Sequence, residues 1–242
     1  MKPILILQHQ DPETAAYLLS WLDTHGVEYE VANAGLGEPF PGSITPYAAL
    51  AVMGGGMSAN DDLASNRQAE QLIVQAMILD IPVIGHCLGA QLMTRALKGQ
   101  VTVAATPEIG WQPIEYADHE LARAWFGPNP TDTVIHWHYD TFSIPLGATL
   151  LASNANCVNQ AWGFGKHLAM QFHIEIDESK IQSWVAEDDD KWAESRGLFE
   201  SVQSRKTILD RTAQHLAAHQ RTADRIYSHW LSTTEWVDNV RK

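Results

Sequence analysis

Hydrophobic and polar positions alternate in blocks along the first hundred residues. Short apolar runs are typical of buried strands, and longer stretches with apolar positions three or four apart are typical of helices. The pattern predicts strands at residues 2–7, 28–32, 47–53 and 81–85, and helices at residues 11–25, 66–79 and 88–97. This alternation indicates a parallel sheet with helices on both faces. Such sheets bind ligands at the carboxyl ends of their strands.

The rest of the chain follows a different pattern. Residues 100–176 carry mostly strand and turn signals, whereas the chain from Ile181 onward is helical in pattern. Residues 205–231 have apolar positions three and four apart and contain neither Pro nor Gly. We therefore predict an α/β domain at residues 1–180 and a C-terminal helical extension packed on it at residues 181–242.

The composition excludes several classes of protein. The chain has 242 residues, of which 45% are hydrophobic and 19% charged, as in globular proteins. A formal net charge of −13 argues against a nucleic-acid surface and a polybasic membrane patch, because both need clustered Lys and Arg. The apolar run after Met1 is too short for a signal peptide, and no stretch has the apolar length of a membrane span. We therefore predict a soluble cytoplasmic protein in which Cys87 and Cys157 remain separate thiols.

The most informative motif is Gly85-His86-Cys87-Leu88-Gly89, between a predicted strand and a predicted helix. Gly-x-Cys-x-Gly in this context is the cysteine form of the nucleophile elbow, a tight strained turn whose flanking residues must be small. The N-terminus of the following helix favours the thiolate of Cys87, and the Leu88 N–H would point at a developing oxyanion. A buried structural cysteine beside a tight turn is the alternative, and the motif alone does not separate the two.

A cysteine nucleophile needs a base that is itself held in place. The candidate is the apolar segment 168–175, which delivers His173 and, two residues later, Glu175. Residues i and i+2 of an extended chain point to the same side, so Glu175 can bind one ring nitrogen of His173 and leave the other for Cys87. The alternative is a histidine at a strand edge beside a solvated glutamate.

Three consecutive glycines, Gly54-Gly55-Gly56, follow a predicted strand. Without a Cβ their backbone can approach a ligand closely, so the Gly55 N–H is a candidate second donor to an oxyanion. A phosphate-binding loop is the rival, but the chain lacks the Gly-x4-Gly-Lys-Ser/Thr pattern. A plain turn is the simplest alternative.

The chain resembles the class I, triad-type glutamine amidotransferases in three segments. These are Gly-Gly-Gly-Met-Ser at 54–58, Gly-His-Cys-Leu-Gly-Ala-Gln at 85–91 and Gln-Phe-His-Ile-Glu at 171–175. The resemblance runs from the first strand to about Ile176. It is closest to stand-alone members that are similar to the glutaminase domain of GMP synthase. Gly56 and Ile174 stand where the family usually has proline.

The resemblance implies a flavodoxin-like, doubly wound fold with a mostly parallel sheet and a catalytic triad of Cys87, His173 and Glu175. Cys87 would attack the side-chain amide of glutamine and form a γ-glutamyl thioester. His173, oriented by Glu175, would protonate the leaving ammonia and then activate water. The N–H groups of Gly55 and Leu88 would hold the oxyanion. No cofactor and no metal are expected.

The substrate is expected to be glutamine or another γ-glutamyl compound. Gln91 matches a residue that contacts glutamine in relatives, and the segment 136–140 resembles a family loop beside the substrate pocket. The resemblance and the glycine loop together predict substrate contacts from Gln91, Gly54, Gly56, His138 and Asp140.

Other interpretations stay open. His136, His138 and Asp140 share one face of a predicted strand, a spacing that can bind zinc or iron in a metal hydrolase. A regulatory protein could keep the fold without turnover. An enzyme would pass ammonia to a separate synthase subunit, or would act alone as a hydrolase of γ-glutamyl peptides or similar amides. The C-terminal helices could contribute to a homodimer.

Overall fold

Nine strands form one mixed sheet in the computed structural model, which describes residues 1–11, 14–187 and 190–241. The strands are β1 (Ile4–Gln8), β2 (Tyr29–Asn33), β3 (Ala49–Val52), β4 (Val83–His86), β5 (Val101–Tyr116), β6 (Thr131–Phe142), β7 (Thr149–Ser153), β8 (Ala161–Phe164) and β9 (His167–Met170). Their order across the sheet is β2-β1-β3-β4-β9-β8-β7-β5-β6. The pairs from β2 to β9 are parallel, and those from β9 to β6 are antiparallel.

Helices cover both faces of this sheet. They are α1 (Ala16–Thr24), α2 (Ala64–Ile78), α3 (Leu88–Ala96), α4 (Glu120–Phe126), α5 (Glu178–Ala186), α6 (Asp190–Leu198), α7 (Arg205–Leu231) and α8 (Val237–Val240), with a 3-10 turn at Ala34–Leu36. No helix in the described part of the chain combines the length and the apolar character needed to cross a bilayer.

The described residues form three buried hydrophobic clusters, and two of them are layers on opposite faces of the sheet. Alternate residues of β1 point to opposite faces, so Ile4 and Ile6 belong to one layer and Leu5 and Leu7 to the other. Helices α1, α4 and α7 complete the first layer, and α2 and α3 complete the second. Strands β1, β3, β4 and β9 are therefore buried on both faces, as the short apolar runs predict, whereas the edge strand β2 is partly exposed. The predicted α/β fold is confirmed.

Two local predictions differ from the structure. Helix α1 begins at Ala16 instead of Asp11; Pro12 and Glu13, predicted in its first turn, lie outside the described residues. Helix α4 was not predicted at all. The His119 side chain caps it by accepting the Ala122 N–H. A helix of seven residues is too short for its periodicity to stand out in a region of strand signals.

The C-terminal helices share the core of the α/β domain. Tyr227 and Trp230 of α7 are buried in the same layer as Ile4 and Ile6 of β1. The domain boundary predicted after residue 180 falls inside α5. The extension is therefore joined to the domain by a common helix and a common core.

Three neighbouring parallel strands bring the candidate motifs together. Strands β3, β4 and β9 are adjacent and parallel, so their carboxyl ends lie at the same edge of the sheet. The glycine loop follows β3, Cys87 follows β4, and His173 comes three residues after the end of β9. The sheet topology thus brings together segments that are far apart in sequence.

Candidate active site

Cys87 occupies the turn between β4 and α3 in a conformation that most residues avoid. Its φ is 49° and its ψ is −106°, and its N–H donates to the Met170 carbonyl at 2.8 Å. A non-glycine residue at positive φ is strained and persists only where the surrounding structure fixes it. Cys87 is also the N-cap of α3, so the sulfur lies at the positive end of a helix. This is the geometry that the elbow motif predicts.

The two glycines of the motif are needed for close packing. A Cβ on Gly89 would stand 2.0 Å from the Val52 carbonyl oxygen in β3. A Cβ on Gly85 would stand 2.8 Å from the Ala90 nitrogen and 2.5 Å from the Met93 sulfur. The elbow therefore excludes larger side chains because the helix sits directly against two strands.

His173 and Glu175 form a buried dyad at the end of β9. His173 Nδ1 and Glu175 Oε1 are 2.7 Å apart, and Glu175 is completely inaccessible to solvent. The His173 backbone is tied to the sheet by its N–H, which donates to the Ile135 carbonyl at 3.1 Å. The bond at Nδ1 leaves Nε2 free of any conventional hydrogen bond to a described residue.

The side chains of Cys87 and His173 both lie beside the backbone of Gly54. A Cβ placed on Gly54 would stand 3.0 Å from His173 Cε1 and 3.7 Å from Cys87 Cβ. Both side chains line one cavity of about 450 Å³. Gln171 adds a contact, because its Nε2 lies 3.5 Å from Cys87 Sγ. The structure therefore brings together the nucleophile and the base that the sequence predicts.

Buried charges dominate the electrostatics of the dyad. Burial alone would lower the pKa of His173, but the Glu175 carboxylate and the nearby Cys87 sulfur raise it to about 10. Burial alone would raise the pKa of Glu175, but the charge of His173 and its hydrogen bond hold it well below the ordinary range. His173 is therefore an imidazolium at neutral pH, held by an ionised glutamate.

The glycine loop lies against the start of α3. A Cβ on Gly55 would stand 3.0 Å from Leu88 Cδ2, so the two predicted oxyanion donors are neighbours. The Leu88 N–H belongs to the first turn of α3 and has no acceptor within the helix. The Gly56 N–H donates to Gln10 Oε1 at 2.7 Å, which ties the loop to the residues after β1. Of the three glycines, Gly55 and Gly56 line the cavity.

The cavity has aromatic and polar walls. Its lining comprises Gln10, Gly55, Gly56, Met57, Ser58, Cys87, Gln91, Val103, Trp137, His138, Tyr139, Asp140, His173, Trp184, Glu187 and Lys191. The volume of about 450 Å³ is typical of a small-molecule site. Because Cys87 and His173 both line it, this cavity is the candidate active site.

Comparison with known proteins assigns this chain to a family. The model of class I glutamine amidotransferases matches residues 30–188. The chain belongs to this family. The glutamine amidotransferase-like protein YfeJ of Salmonella typhimurium is 29% identical over 198 residues, covering 78% of this chain and 82% of that protein.

Two further comparisons concern a longer enzyme and a solved structure. GMP synthase of Bacillus pumilus is 32% identical over 174 residues, which are 66% of this chain but only 32% of that enzyme. The crystal structure of a glutamine amidotransferase from Methylobacillus flagellatus is 33% identical, with a TM-score of 0.93, and the match covers 97% of this chain and 96% of that one. This amidotransferase chain thus corresponds to about a third of the length of that GMP synthase.

The predicted substrate-contact residues do not all lie at the surface of the cavity. Gln91, His138, Asp140 and Gly56 line it, whereas Gly54 lies beneath the His173 ring. Gln91 also donates through Nε2 to Gln171 Oε1 at 3.3 Å, within the same chain of contacts that reaches Cys87.

The histidines of β6 do not join Asp140 in a cluster. The described residues that could share an ion are Glu108, His136 and His138, whose ligand atoms lie within 4.8 Å of one another. Asp140 instead accepts a hydrogen bond from Ser58 Oγ at 3.2 Å. The metal-binding trio considered from sequence therefore has the wrong carboxylate, because Glu108 reaches the histidines from the adjacent strand β5.

The Glu108 carboxylate is occupied by protein donors. Its oxygens accept from Asn154 Nδ2 at 2.7 Å, Gln160 Nε2 at 2.6 Å and His138 Nε2 at 3.2 Å. Burial would raise the pKa of Glu108, but these bonds and the nearby histidines lower it to about 2. A carboxylate satisfied in this way is a structural anchor for the cavity wall.

Several contacts of the candidate triad were not predicted from sequence. Gln171 contacts the sulfur, Trp184 packs edge-on against His173 with ring centroids 4.8 Å apart, and Lys180 Nζ lies 3.7 Å from Glu175 Oε1. Gln171 was visible in the Gln-Phe-His-Ile-Glu segment. Trp184 and Lys180 belong to α5, which had no motif to mark it.

Cys157 is not among the residues that line the cavity. It is buried, and its Sγ lies 3.3 Å from Thr141 Oγ1 and 3.5 Å from the Asn159 carbonyl oxygen. Burial raises the pKa of its thiol. Both cysteines are free, in agreement with the prediction of separate thiols.

Proposed function

We propose that this protein hydrolyses the side-chain amide of glutamine, or a related γ-glutamyl amide, with Cys87 as nucleophile. The observation that carries the proposal is a strained cysteine at a helix N-terminus that shares one cavity with a buried His173–Glu175 dyad. Membership of the class I glutamine amidotransferase family supports the same type of reaction.

The proposed reaction has two halves. The Cys87 thiolate attacks the amide carbon, and the carbonyl electrons move to oxygen to form a tetrahedral oxyanion. His173 gives its proton to the amide nitrogen, so that the C–N bond breaks and ammonia leaves a γ-glutamyl thioester. The neutral ring then takes a proton from water, whose oxygen attacks the thioester. Glutamate leaves, and the thiolate–imidazolium pair is restored.

The resting charge state supports this sequence of steps. Because the pKa of His173 is raised to about 10, the ring carries the proton that the leaving ammonia needs. Glu175 holds that ring through Nδ1, so Nε2 is the nitrogen that exchanges protons with substrate and water. In our proposal the N–H groups of Gly55 and Leu88 stabilise the oxyanion.

A second candidate function, hydrolysis of γ-glutamyl peptides, is favoured by the size and walls of the cavity. A volume of about 450 Å³ suits ligands larger than a single amino acid. Trp137, Tyr139 and Trp184 offer apolar surface beside the thiol. Such a wall would suit an apolar amine as the leaving group instead of ammonia.

The fate of released ammonia depends on a partner. Relatives that include this domain as about a third of their length are GMP synthases described as glutamine-hydrolysing. We propose by analogy that a separate synthase subunit, if one binds near the cavity, would receive the ammonia. We also propose that the enzyme is cytoplasmic, where its two free thiols would stay reduced.

The proposal is tested by measuring glutamate formation from glutamine and from γ-glutamyl-phenylalanine. Wild-type protein should turn over at least one of them. Cys87→Ala should lose turnover by roughly a thousandfold or more, because the covalent route is removed. Cys157→Ala is the matched control and should keep near wild-type rates. Equal loss in both variants, or full activity in Cys87→Ala, would contradict the proposal.

A further inference from the structure

Helix α5 presents two side chains to the back of the His173–Glu175 dyad. Lys180 and Trp184 are four residues apart and so lie on one face of the helix. Lys180 Nζ lies 3.7 Å from Glu175 Oε1, and the Trp184 ring packs edge-on against His173. The Lys180 ammonium is also 5.2 Å from the Trp184 ring centroid. Each member of the dyad thus has one contact from α5.

The position of Lys180 is fixed by bonds at both ends of the residue. Its backbone N–H donates to Asp177 Oδ1 at 2.8 Å, the N-cap contact that starts α5. Its Nζ donates to the Thr14 carbonyl oxygen at 2.6 Å. The residue is only 9% exposed. A buried ammonium is costly unless negative charge compensates it, and the Glu175 carboxylate supplies such a charge.

Other titratable groups around the dyad contribute little positive charge. Among the described residues they come from β4, β6 and α7, and they are His86, His136, His219 and Tyr227. Burial lowers the pKa of His86 and His219 to about 4 and that of His136 to about 3. Burial also raises the pKa of Tyr227, so all four are neutral at neutral pH. His86 Nε2 is 4.0 Å from Glu175 Oε2, and both side chains are fully buried. Because His86 is neutral, it does not offset the negative charge of Glu175.

The charges in the site therefore alternate. When Cys87 is in the thiolate form that the proposed function requires, Cys87 and Glu175 each carry a negative charge, and His173 and Lys180 each carry a positive charge. Without the Lys180 charge, the other three groups would together carry a net charge of −1. Ionisation of Cys87 would then create a negative charge that no remaining positive charge offsets, which makes the thiolate less favourable.

We propose that Lys180 is a positioning residue that offsets the charge of Glu175 and so allows Cys87 to ionise beside His173. The inference rests on the proposed function for the role of the thiolate. Lys180 does not line the cavity, so it acts through Glu175 and not by touching substrate.

Removing the Lys180 charge is expected to change the pH at which the Cys87 thiol ionises. Loss of the Lys180 charge makes the potential at Cys87 more negative, and thiolate formation then needs a higher pH. The midpoint of Cys87 alkylation should rise by roughly 0.5–1 pH unit. A lysine that served only packing would change stability and leave this midpoint in place.

The experiment follows the rate of iodoacetamide alkylation against pH in the Cys157→Ala background. Lys180→Met and Lys180→Gln remove the charge, and the glutamine variant keeps a donor for Thr14 should the methionine variant not fold. Lys180→Arg keeps the charge. The matched control is Lys206→Met, because the Lys206 side chain is 83% exposed and pairs with Asp210 on α7.

The proposal expects an upward shift in Lys180→Gln and Lys180→Met, and wild-type midpoints in Lys180→Arg and Lys206→Met. An unshifted midpoint in a folded Lys180→Gln protein, shown by near-ultraviolet circular dichroism, would overturn it. An equal shift in Lys180→Arg would do the same. Alkylation needs no substrate, so this result is independent of whether glutamine is hydrolysed.

Discussion

At the scale of the residue, Cys87 combines backbone strain with a charged neighbourhood. Its φ of 49° is in the left-handed region at the start of α3, and Cys87 lines the same cavity as His173. The strain is tolerated because Gly85 and Gly89 let the turn pack against β3 and the rest of α3. The same turn therefore explains why positions 85 and 89 are glycine and why Cys87 lines the same cavity as His173.

The paired charges of His173 and Glu175 predict a pH-dependent stability. The pKa of His173 in the folded protein, about 10, exceeds its ordinary value of 6.5, so folding favours the protonated ring. That stabilisation is complete below pH 6.5 and is lost as pH rises through about 10. Between pH 6.5 and 9.5, the free energy of unfolding should fall more in the wild type than in Glu175→Gln, by on the order of 1–2 kcal/mol.

Urea unfolding at several pH values measures this difference directly. Glu175→Gln is the informative variant because it keeps the size of the side chain and removes the charge that raises the pKa of His173. Parallel pH curves for the two proteins would show that the dyad is not an ion pair in the folded state.

The predictable part of the site is the part encoded in short segments. Cys87, His173 and Glu175 could be predicted as a candidate triad because an elbow motif and a His-x-Glu spacing are local patterns. Lys180 and Glu108 were missed, because each meets its partner only after distant elements pack together. A lysine in a polar helix and a glutamate in a long strand carry no local sign of burial.

At the scale of the element, α3 is set unusually close to the sheet. A Cβ on Gly89 would lie 2.0 Å from the Val52 carbonyl oxygen, which is backbone and cannot move aside. Strands β3 and β4 and the start of α3 therefore form one rigid unit that fixes the thiol. The helices and strands of this unit were predicted within two residues, since each has a clear apolar pattern.

This packing makes Gly89→Ala strongly destabilising. We expect a loss of about 2 kcal/mol or more in the free energy of unfolding, because the methyl group must push α3 away from β3. Denaturant unfolding measures the loss. Gly197→Ala in α6 is the control, since a Cβ there meets nothing within 4 Å and should leave stability equal or higher. Equal stability of both variants would refute the close approach.

At the scale of the whole molecule, α7 completes the core on one face of the sheet. Sequence periodicity predicted this helix and placed it in an extension, but the residues that it would contact could not be read from spacing alone. Ile226, Tyr227 and Trp230 join the layer formed by α1 and β1. The involvement of these helices in a homodimer stays a prediction.

A shared core predicts that a change in α7 weakens the entire fold. Trp230→Ala should lower the free energy of unfolding by roughly 3–5 kcal/mol in a single transition, because Trp230 is almost fully buried. Leu209→Ala, at a half-exposed position of the same helix, should cost far less. Circular dichroism and tryptophan fluorescence should report one common midpoint. Early loss of helix α7 with an unchanged main transition would show that the extension folds separately.

The central claim is that the sulfur of Cys87 carries the γ-glutamyl group during turnover. Acid quenching under steady-state turnover with glutamine or a γ-glutamyl peptide, followed by peptide mass spectrometry, tests it most directly. We predict a γ-glutamyl adduct on the peptide that contains Cys87, removed by hydroxylamine as expected of a thioester. Two results would contradict the account. One is substrate turnover with a γ-glutamyl adduct on another residue and none on Cys87. The other is undiminished turnover after Cys87 is alkylated.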